Sequence, residues 1–511
     1  MPANLRLTYQ RLLERTKNLI VLGSAEAIVN WDMETMMPPR AVHLRSEQLA
    51  LLSQIHHKMS TAPETGKLLD TILKHPQYDT LNEVEKRNVY LIKKNYDEQT
   101  KLPTKLVTEI AKQQAITVNT WKQAKATQNY ALFKPELEKL TALNKQAADI
   151  LMKVKKTKTP YDALIDIYEP NMTTEAITKI FTELQQTLKK LLAKIQNAPD
   201  QPDTNILKQT LPVEKQREIA KLLTQILGYD ITSPTAAGRL DETEHPFTTG
   251  YYDDVRITTH YHPDNFASSI FSVLHEAGHA LYEQGLPQEW KYQPIGAPCS
   301  MGLHESQSRL YENIIGRSRE FWTPLFHKLK KITAPNLANL ELDKFVHAIN
   351  AVKPSKIRIE ADEVTYNLHV IIRFQIEKDL FSNKITVNEL PTIWNQKYAD
   401  NLGLKIENDS EGVMQDTHWA SGLYGYFPTY ALGNIYSGQI IAALAKDMQD
   451  WRSQLAQSKL DNIRAWLTRN VHSHGDLYDP ADLIKKITGK NLDAEPYMQY
   501  LQEKYSALYD F

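Results

Sequence analysis

Residues Asn265 to Gly285 read NFASSIFSVLHEAGHALYEQG and place His275, Glu276 and His279 in the pattern H-E-x-x-H. On a helix, His275 and His279 stand one turn apart on the same face, so both imidazoles can reach one ion. Glu276 sits about 100° round the helix, close enough to touch a water on that ion without occupying a ligand position. Such a set produces hydroxide at neutral pH and supplies a carboxylate to carry its proton. The flanks predict the helix ends: His262-Pro263-Asp264 as a break with an N-cap, and Gly285 before Pro287 as a stop. Phe266, Ile270, Phe271, Val273, Leu274 and Leu281 surround the motif and predict burial on most sides. The bland alternative is a pair of core histidines beside a glutamate.

Immediately upstream, Pro246 to His262 (PFTTGYYDDVRITTHYH) is rich in Thr, Tyr, Val and Ile, and reads as a short hairpin turning at Gly250. In a peptidase, a strand beside the metal helix can bind an extended peptide through its main chain. Downstream, SMGLHESQSRLYENIIG predicts a second helix from about Ser300 to Gly316. A hydrolytic zinc takes three protein ligands and keeps a fourth place open. Glu305, far enough beyond His279 for a loop and an antiparallel return, is the candidate third ligand, with neighbouring His304 as its rival.

The rest of the chain predicts a mainly α fold, because glycine is scarce and Leu, Ala, Lys, Gln and Glu dominate. Leu5, Tyr9, Leu12, Leu13 and Ile20 repeat at helical spacing, and Trp31-Asp32 through Pro39 reads as the break that follows. A helix from about Ala41 is expected to turn Leu44, Leu49, Leu52 and Ile55 inward; further helices are expected over roughly 82–95, 103–127, 133–153 and 175–195. One large helical body is expected over 1–511, with an N-terminal lobe about 1–200, a catalytic region about 240–440 and C-terminal helices 441–511. The Pro- and Asp-rich stretch 197–205 is the nearest thing to a boundary.

With 60 Lys plus Arg against 61 Asp plus Glu, the net charge of −1 gives no general attraction to nucleic acid or anionic membrane. The lysines of 153–158 read as a solvated helix end, since no aromatic platform accompanies them. No signal peptide or bilayer-length apolar run is visible, so a cytoplasmic location is expected. The single cysteine, Cys299, excludes an internal disulfide, fits a reducing compartment, and reads as a small buried residue near the site.

Five ordered motifs give the chain a family resemblance. They are Asp254-Val-Arg256-Ile-Thr258, His275-Glu276-Ala-Gly-His279, His304-Glu305-Ser306-Gln307, Ile357-Arg358-Ile-Glu-Ala361-Asp362 and Gly412-Val-Met-Gln415-Asp416-Thr-His418-Trp419. Together with the blocks at 31–36 and 160–164, they make the chain resemble, over nearly its whole length, the carboxypeptidase Taq family of thermostable-type metallocarboxypeptidases. His260 stands where members of that family often carry arginine. The resemblance implies zinc (cobalt or manganese as alternatives) held by His275, His279 and Glu305, with Glu276 as general base. It also implies a saddle-like helical body with a central groove, a homodimer, and removal of C-terminal residues from peptides with broad tolerance and poor cleavage beside proline.

An exopeptidase must recognise a free carboxylate, and arginine's planar fork suits one. Arg358 is the first candidate and Arg256 the second, with Asp254 and Asp362 as groups that orient arginines or histidine ligands. The oxyanion needs donors. His418 is one, and Tyr424, Tyr426 and Tyr430 are the others; related zinc peptidases pair a histidine with a downstream tyrosine, which favours His418 with Tyr430, then Tyr426. Gln415 and Asp416 are expected to hold that segment in place. Two rival readings are a related zinc oligopeptidase, which needs no carboxylate clamp, and a non-catalytic helical protein that kept a metal site.

Overall fold

Helix-forming composition becomes helix almost throughout the computed structural model, which describes residues 4–511. The first helix, Leu5–Thr35, starts at Asn4, whose side chain accepts from the Leu7 N–H. It runs straight through Trp31-Asp32; the break falls at residues 36–38, ahead of a short 3-10 turn at Pro39–Ala41. The following helix, Val42–Ser60, does not bury the side chains expected to face inward. Leu44 is 62% exposed and Ile55 39%, and Val42 and Leu51 are exposed as well. The reason is that, among the described residues, this helix packs chiefly on the first helix, which leaves much of its surface uncovered. The next four expected helices are present as Glu83–Lys101, Thr104–Ala126, Tyr130–Lys155 and Thr174–Asn197.

Two cores form. Leu5, Tyr9, Leu12, Leu69, Ile72, Leu81, Val89 and Ile92 make a small one among the N-terminal helices. The large one runs from Ala124 to Tyr509 and includes Phe266, Ile270, Val273, Leu274 and Leu281 of the helix Phe266–Gln284. Each such side chain contributes roughly 1.5–3 kcal/mol by leaving water, so this helix is anchored by its apolar faces and not by its caps. Asn265, not Asp264, is the N-cap residue, and it makes no side-chain cap bond. Gly285 ends the helix without a left-handed turn; its missing side chain matters because a Cβ there would lie 2.4 Å from His472 Nδ1.

The hairpin expected at Pro246–His262 is present as β2 (Thr248–Tyr251) and β3 (Asp254–Thr259), joined by a two-residue turn at Tyr252-Asp253. Tyr252 takes φ 50° in that turn, whereas Gly250 lies inside β2. Glycine is needed at 250 for close approach, since a Cβ would meet the Asp254 carbonyl at 2.0 Å. A third strand, β1 (Gly238–Glu242), pairs parallel with β3, giving the order β1-β3-β2. Its sequence, GRLDE, carries no β-branched or aromatic residue, so nothing local marks it as strand. A tertiary contact holds it: the buried Tyr229 hydroxyl donates to the Val255 carbonyl (2.6 Å) and accepts from the Arg239 N–H (3.0 Å), tying β1 to β3.

Candidate active site

The helix Met301–Arg309 crosses the helix that carries His275 and His279 at very short range. Gly278 makes this possible, because a Cβ there would lie 2.6 Å from the Gln307 carbonyl oxygen. On the other side, the helix Pro428–Asp447 offers Gly433, where a Cβ would lie 2.6 Å from Glu305 Cγ. Two glycines therefore let three helices close on Glu305.

In that space Glu305 Oε2 stands 3.8 Å from His275 Nε2 and 3.5 Å from His279 Nε2. The three ligand atoms lie within 4.8 Å of one another. Ligands about 2.1 Å from a tetrahedral ion are about 3.4 Å apart, so two imidazoles and one carboxylate fit a single divalent cation. His304 points elsewhere: its Nε2 lies 2.9 Å from Glu283 Oε1, and its ring stacks on His279 at 4.3 Å.

Charge around the three groups is arranged by residues the motif reading missed. Glu312 Oε2 lies 2.8 Å from His275 Nδ1, which turns Nε2 of that ring toward Glu305. Arg309 donates to Glu305 Oε1 (2.6 Å) and Glu312 Oε2 (3.1 Å), and its guanidinium lies 4.2 Å from the Tyr366 ring centre. Burial alone would raise both carboxyls. Arg309 first, then the imidazoles, outweighs it, holding Glu305 far below the usual range and Glu312 at about 2. Arg309 follows Glu305 by one helical turn, so helical spacing was the available signal. Glu312 sits in a π-helical turn, Leu310–Ile315, a geometry that recurs at functional sites. The Nδ1 of His279 is buried without a partner among the described residues, and burial drops this imidazole to about 3.

Glu276 is buried, and its Oε2 accepts from Thr248 Oγ1 of β2 at 2.6 Å. Burial raises its carboxyl above the ordinary value, opposed by His275 and by the Thr248 bond. The hairpin therefore positions the carboxylate beside the imidazoles, and Thr248 is a further residue that sequence reasoning did not single out.

The two candidate arginines are both engaged. Arg358 is buried and donates from Nε (3.1 Å) and Nη2 (2.9 Å) to Asp416 Oδ1, and from Nη1 to the Tyr366 hydroxyl (3.0 Å). Arg256 makes two bonds to Asp254, at 2.7 and 2.8 Å, and stacks over Trp31 of the first helix at 4.3 Å. Among the described residues Asp362 bonds neither arginine nor histidine; its carboxylate accepts from the N–H groups of Lys353, Val364 and Thr365 and from the Thr365 hydroxyl. Asp416 also accepts from Arg373 Nε (2.7 Å), and Gln415 Oε1 accepts from Arg358 N (2.9 Å) and Arg373 Nη2 (2.8 Å). Arg373, fully buried, is thus the second cation of this pair and was not read from the motifs.

His418 Nε2 lies 3.2 Å from the Tyr430 hydroxyl, and Tyr426 stands edge-on to Tyr430 at 5.3 Å. Burial lowers His418 to about 4, with Asp416 opposing and Arg358 and Arg373 assisting, so the ring is neutral at pH 7. Tyr424 lies apart: it is buried, with its hydroxyl 2.8 Å from Thr141 Oγ1. His260 is turned to the Thr243 carbonyl (2.9 Å), and Cys299 is buried.

Comparison with known proteins shows the family. The family pattern described as "Carboxypeptidase Taq (M32) metallopeptidase" matches residues 11–505. The chain is 39% identical over 504 residues to carboxypeptidase 1 of Bacillus subtilis, covering 98% of this chain and 99% of that protein. It is 39% identical over 509 residues to thermostable carboxypeptidase 1 of Thermus thermophilus, with the same coverage of both. The crystal structure of an M32 carboxypeptidase from Deinococcus radiodurans superposes with a TM-score of 0.94 at 34% identity, covering 99% of this chain and 100% of that one.

Proposed function

The chain belongs to the Carboxypeptidase Taq (M32) metallopeptidase family, a family of metal-dependent peptide hydrolases, and from that premise we propose that it removes C-terminal residues from peptides at a zinc site formed by His275, His279 and Glu305. The observation that carries this reading is Glu305 Oε2 facing both Nε2 atoms, with the Glu276 carboxylate held alongside by Thr248. A divalent ion in this site would supply Lewis acidity and a water of lowered pKa. Zinc is favoured over cobalt or manganese because two imidazoles and one carboxylate make a familiar hydrolytic zinc set.

Glu276 acts as general base, taking a proton from the attacking water and returning it to the leaving amine. Its raised affinity for protons suits this double task. Neutral His418, paired with Tyr430 and with Tyr426 beside it, donates to the developing oxyanion. Arg358 takes the substrate carboxylate. A guanidinium has five N–H donors; three are used on Asp416 and Tyr366, and the remaining two serve a ligand. Arg256, held flat against Trp31 by Asp254, is the secondary contact. β2 is an edge strand, so its free main-chain groups can align an extended peptide next to Glu276. Contacts made through the peptide main chain and terminus favour broad side-chain tolerance, and they disfavour proline, which lacks an N–H.

A homodimer fits the exposed apolar side chains Val42, Leu44, Leu51 and Ile55. A cytoplasmic location fits the single cysteine, which is buried and unpaired. No helix among the described residues is long and apolar enough to cross a membrane.

The deciding experiment compares a peptide with its C-terminal amide, using wild type and Arg358→Ala. The expected result is a one-residue ladder from the free acid, little from the amide, and a KM increase in the variant. Equal cleavage of acid and amide by wild type would overturn the carboxypeptidase reading. Glu276→Gln is expected to keep the metal and lose turnover.

A further inference from the structure

Outside the proposed chemistry lies a fully buried carboxyl, Glu169, at the end of the helix Pro160–Tyr168. Its two oxygens reach two different helices of the site. Oε2 accepts from the Gly302 N–H (3.1 Å) in the first turn of Met301–Arg309, the helix that carries Glu305. Oε1 accepts from the Tyr436 hydroxyl (2.5 Å) on Pro428–Asp447, the helix that carries Tyr430 and Gly433. Gly302 fits closely under it, since a Cβ there would lie 2.5 Å from Oε2.

One carboxyl therefore ties together the two helices whose contact encloses Glu305. Both bonds lie in an interior where an unmet donor is costly, so separation of these helices is opposed by two buried hydrogen bonds at once. Glu305 leaves its helix one turn after Gly302 and packs on Gly433, one turn before Tyr436. A shift of either helix moves the Glu305 carboxylate relative to His275 and His279.

We propose that Glu169 is a positioning residue for the metal ligand Glu305, fixing its distance from the two imidazoles through Gly302 and Tyr436 and thereby setting how tightly the divalent ion is held. This inference rests on the reading of Glu305 as a ligand. Burial pushes the Glu169 carboxyl up to about 7, against the pull of the Tyr436, Ser300 and Gly302 hydrogen bonds.

The test is the Zn²⁺ dissociation constant of the full-length protein, measured by competition with a chromophoric chelator, together with the visible spectrum of the Co²⁺-loaded protein. Glu169→Ala is expected to weaken Zn²⁺ binding about 10–100-fold and to alter the cobalt spectrum, readouts that lost fold stability alone would not change in folded protein. Glu169→Gln can accept from Gly302 and donate to Tyr436, and is expected to restore the constant to within about threefold. Tyr436→Phe removes one of the two bonds while keeping the ring, and is expected to weaken binding roughly threefold to tenfold. Wild-type affinity and spectrum in folded Glu169→Ala, or a Gln variant as weak as Ala, would overturn the proposal. If Glu169→Ala does not fold, an unchanged Tyr436→Phe overturns it. Glu305→Gln separates the two ideas: metal affinity unaffected there would refute the ligand assignment itself, whereas loss there with none in the Glu169 variants refutes only the positioning role.

Discussion

Glu312 Oε2 lies 2.8 Å from His275 Nδ1, and that contact decides which imidazole nitrogen of His275 faces Glu305. A carboxylate bound to Nδ1–H holds the tautomer with its lone pair on Nε2 and makes that atom more basic. The same Glu312 oxygen also accepts from Arg309, which bonds Glu305 in turn, so the proposed ligand and the group that orients His275 share one cation.

Removing Glu312 is therefore expected to weaken metal binding without touching a proposed ligand. Glu312→Ala should raise the metal dissociation constant about 10–100-fold. Glu312→Gln keeps an acceptor for Nδ1–H and should do less harm. Chelator competition measures both, and an alanine variant with wild-type affinity would show that His275 is oriented by other contacts.

Thr248 gives a prediction about pH. With Glu276 as the proposed general base, its acid form cannot accept a proton, and activity is expected to fall as pH drops through its pKa. Burial sets that pKa above the ordinary glutamate value, and the Thr248 bond pulls it back down. Thr248→Val keeps the shape and removes the bond, so the acidic limb of kcat/KM should move to higher pH while metal content stays unchanged. An acidic limb at the wild-type position would argue that Glu276 is not the group titrating.

Asp416 predicts a large loss of stability. It is the shared counter-charge of Arg358 and Arg373, and Asp416→Asn leaves two buried guanidiniums without one. Breaking a buried pair in this way costs about 3–5 kcal/mol, measurable by urea unfolding. Burial would raise the Asp416 carboxyl, but Arg358 and Arg373 hold it well below the usual range. Its contribution is thus fully present above the unfolded value of about 3.9 and is lost as pH falls below it. The wild type should show that acid-dependent loss, and the Asn variant should lack this part of it.

Gly433→Ala tests the close packing behind Glu305, the proposed third ligand. The new methyl would meet Glu305 Cγ at 2.6 Å, so the carboxylate or the whole helix must shift. Overpacking of this kind costs about 1–3 kcal/mol, and here it should also reduce metal affinity. Gly403→Ala is the control for stability alone, since nothing lies within 4 Å of a Cβ there, although the φ of 67° is strained for alanine. Equal metal affinity in the two variants would show that Gly433 does not bear on the ligand.

Much of the molecule was readable from local pattern. Helix type followed from apolar spacing and low glycine, as at Phe266–Gln284, where thirteen of nineteen residues are buried. Local pattern failed where the deciding partner is distant in the chain. Leu44 and Ile55 have the spacing of an inward face, yet among the described residues no second layer covers them. β1 has no strand composition and exists because β3 and Tyr229 accept it. Glu312 and Arg309 lay within helical reach of Glu305, but no motif singled them out.

His275, Glu276 and His279 needed only a helix to share one turn, because 3.6 residues per turn is a property of the backbone alone. Their pattern, with the motif order, was sufficient to name the family and the reaction class. Which residue completes the set is a different kind of fact. His304 and Glu305 are neighbours about 100° apart on one helix, and the choice between them depends on how that helix is rotated against two others. Gly278 and Gly433 set that rotation by permitting backbone contact at two points, and the outcome is Glu305 toward the imidazoles and His304 toward Glu283. Packing of three helices is a property of all their surfaces at once, and no single stretch of chain contains it.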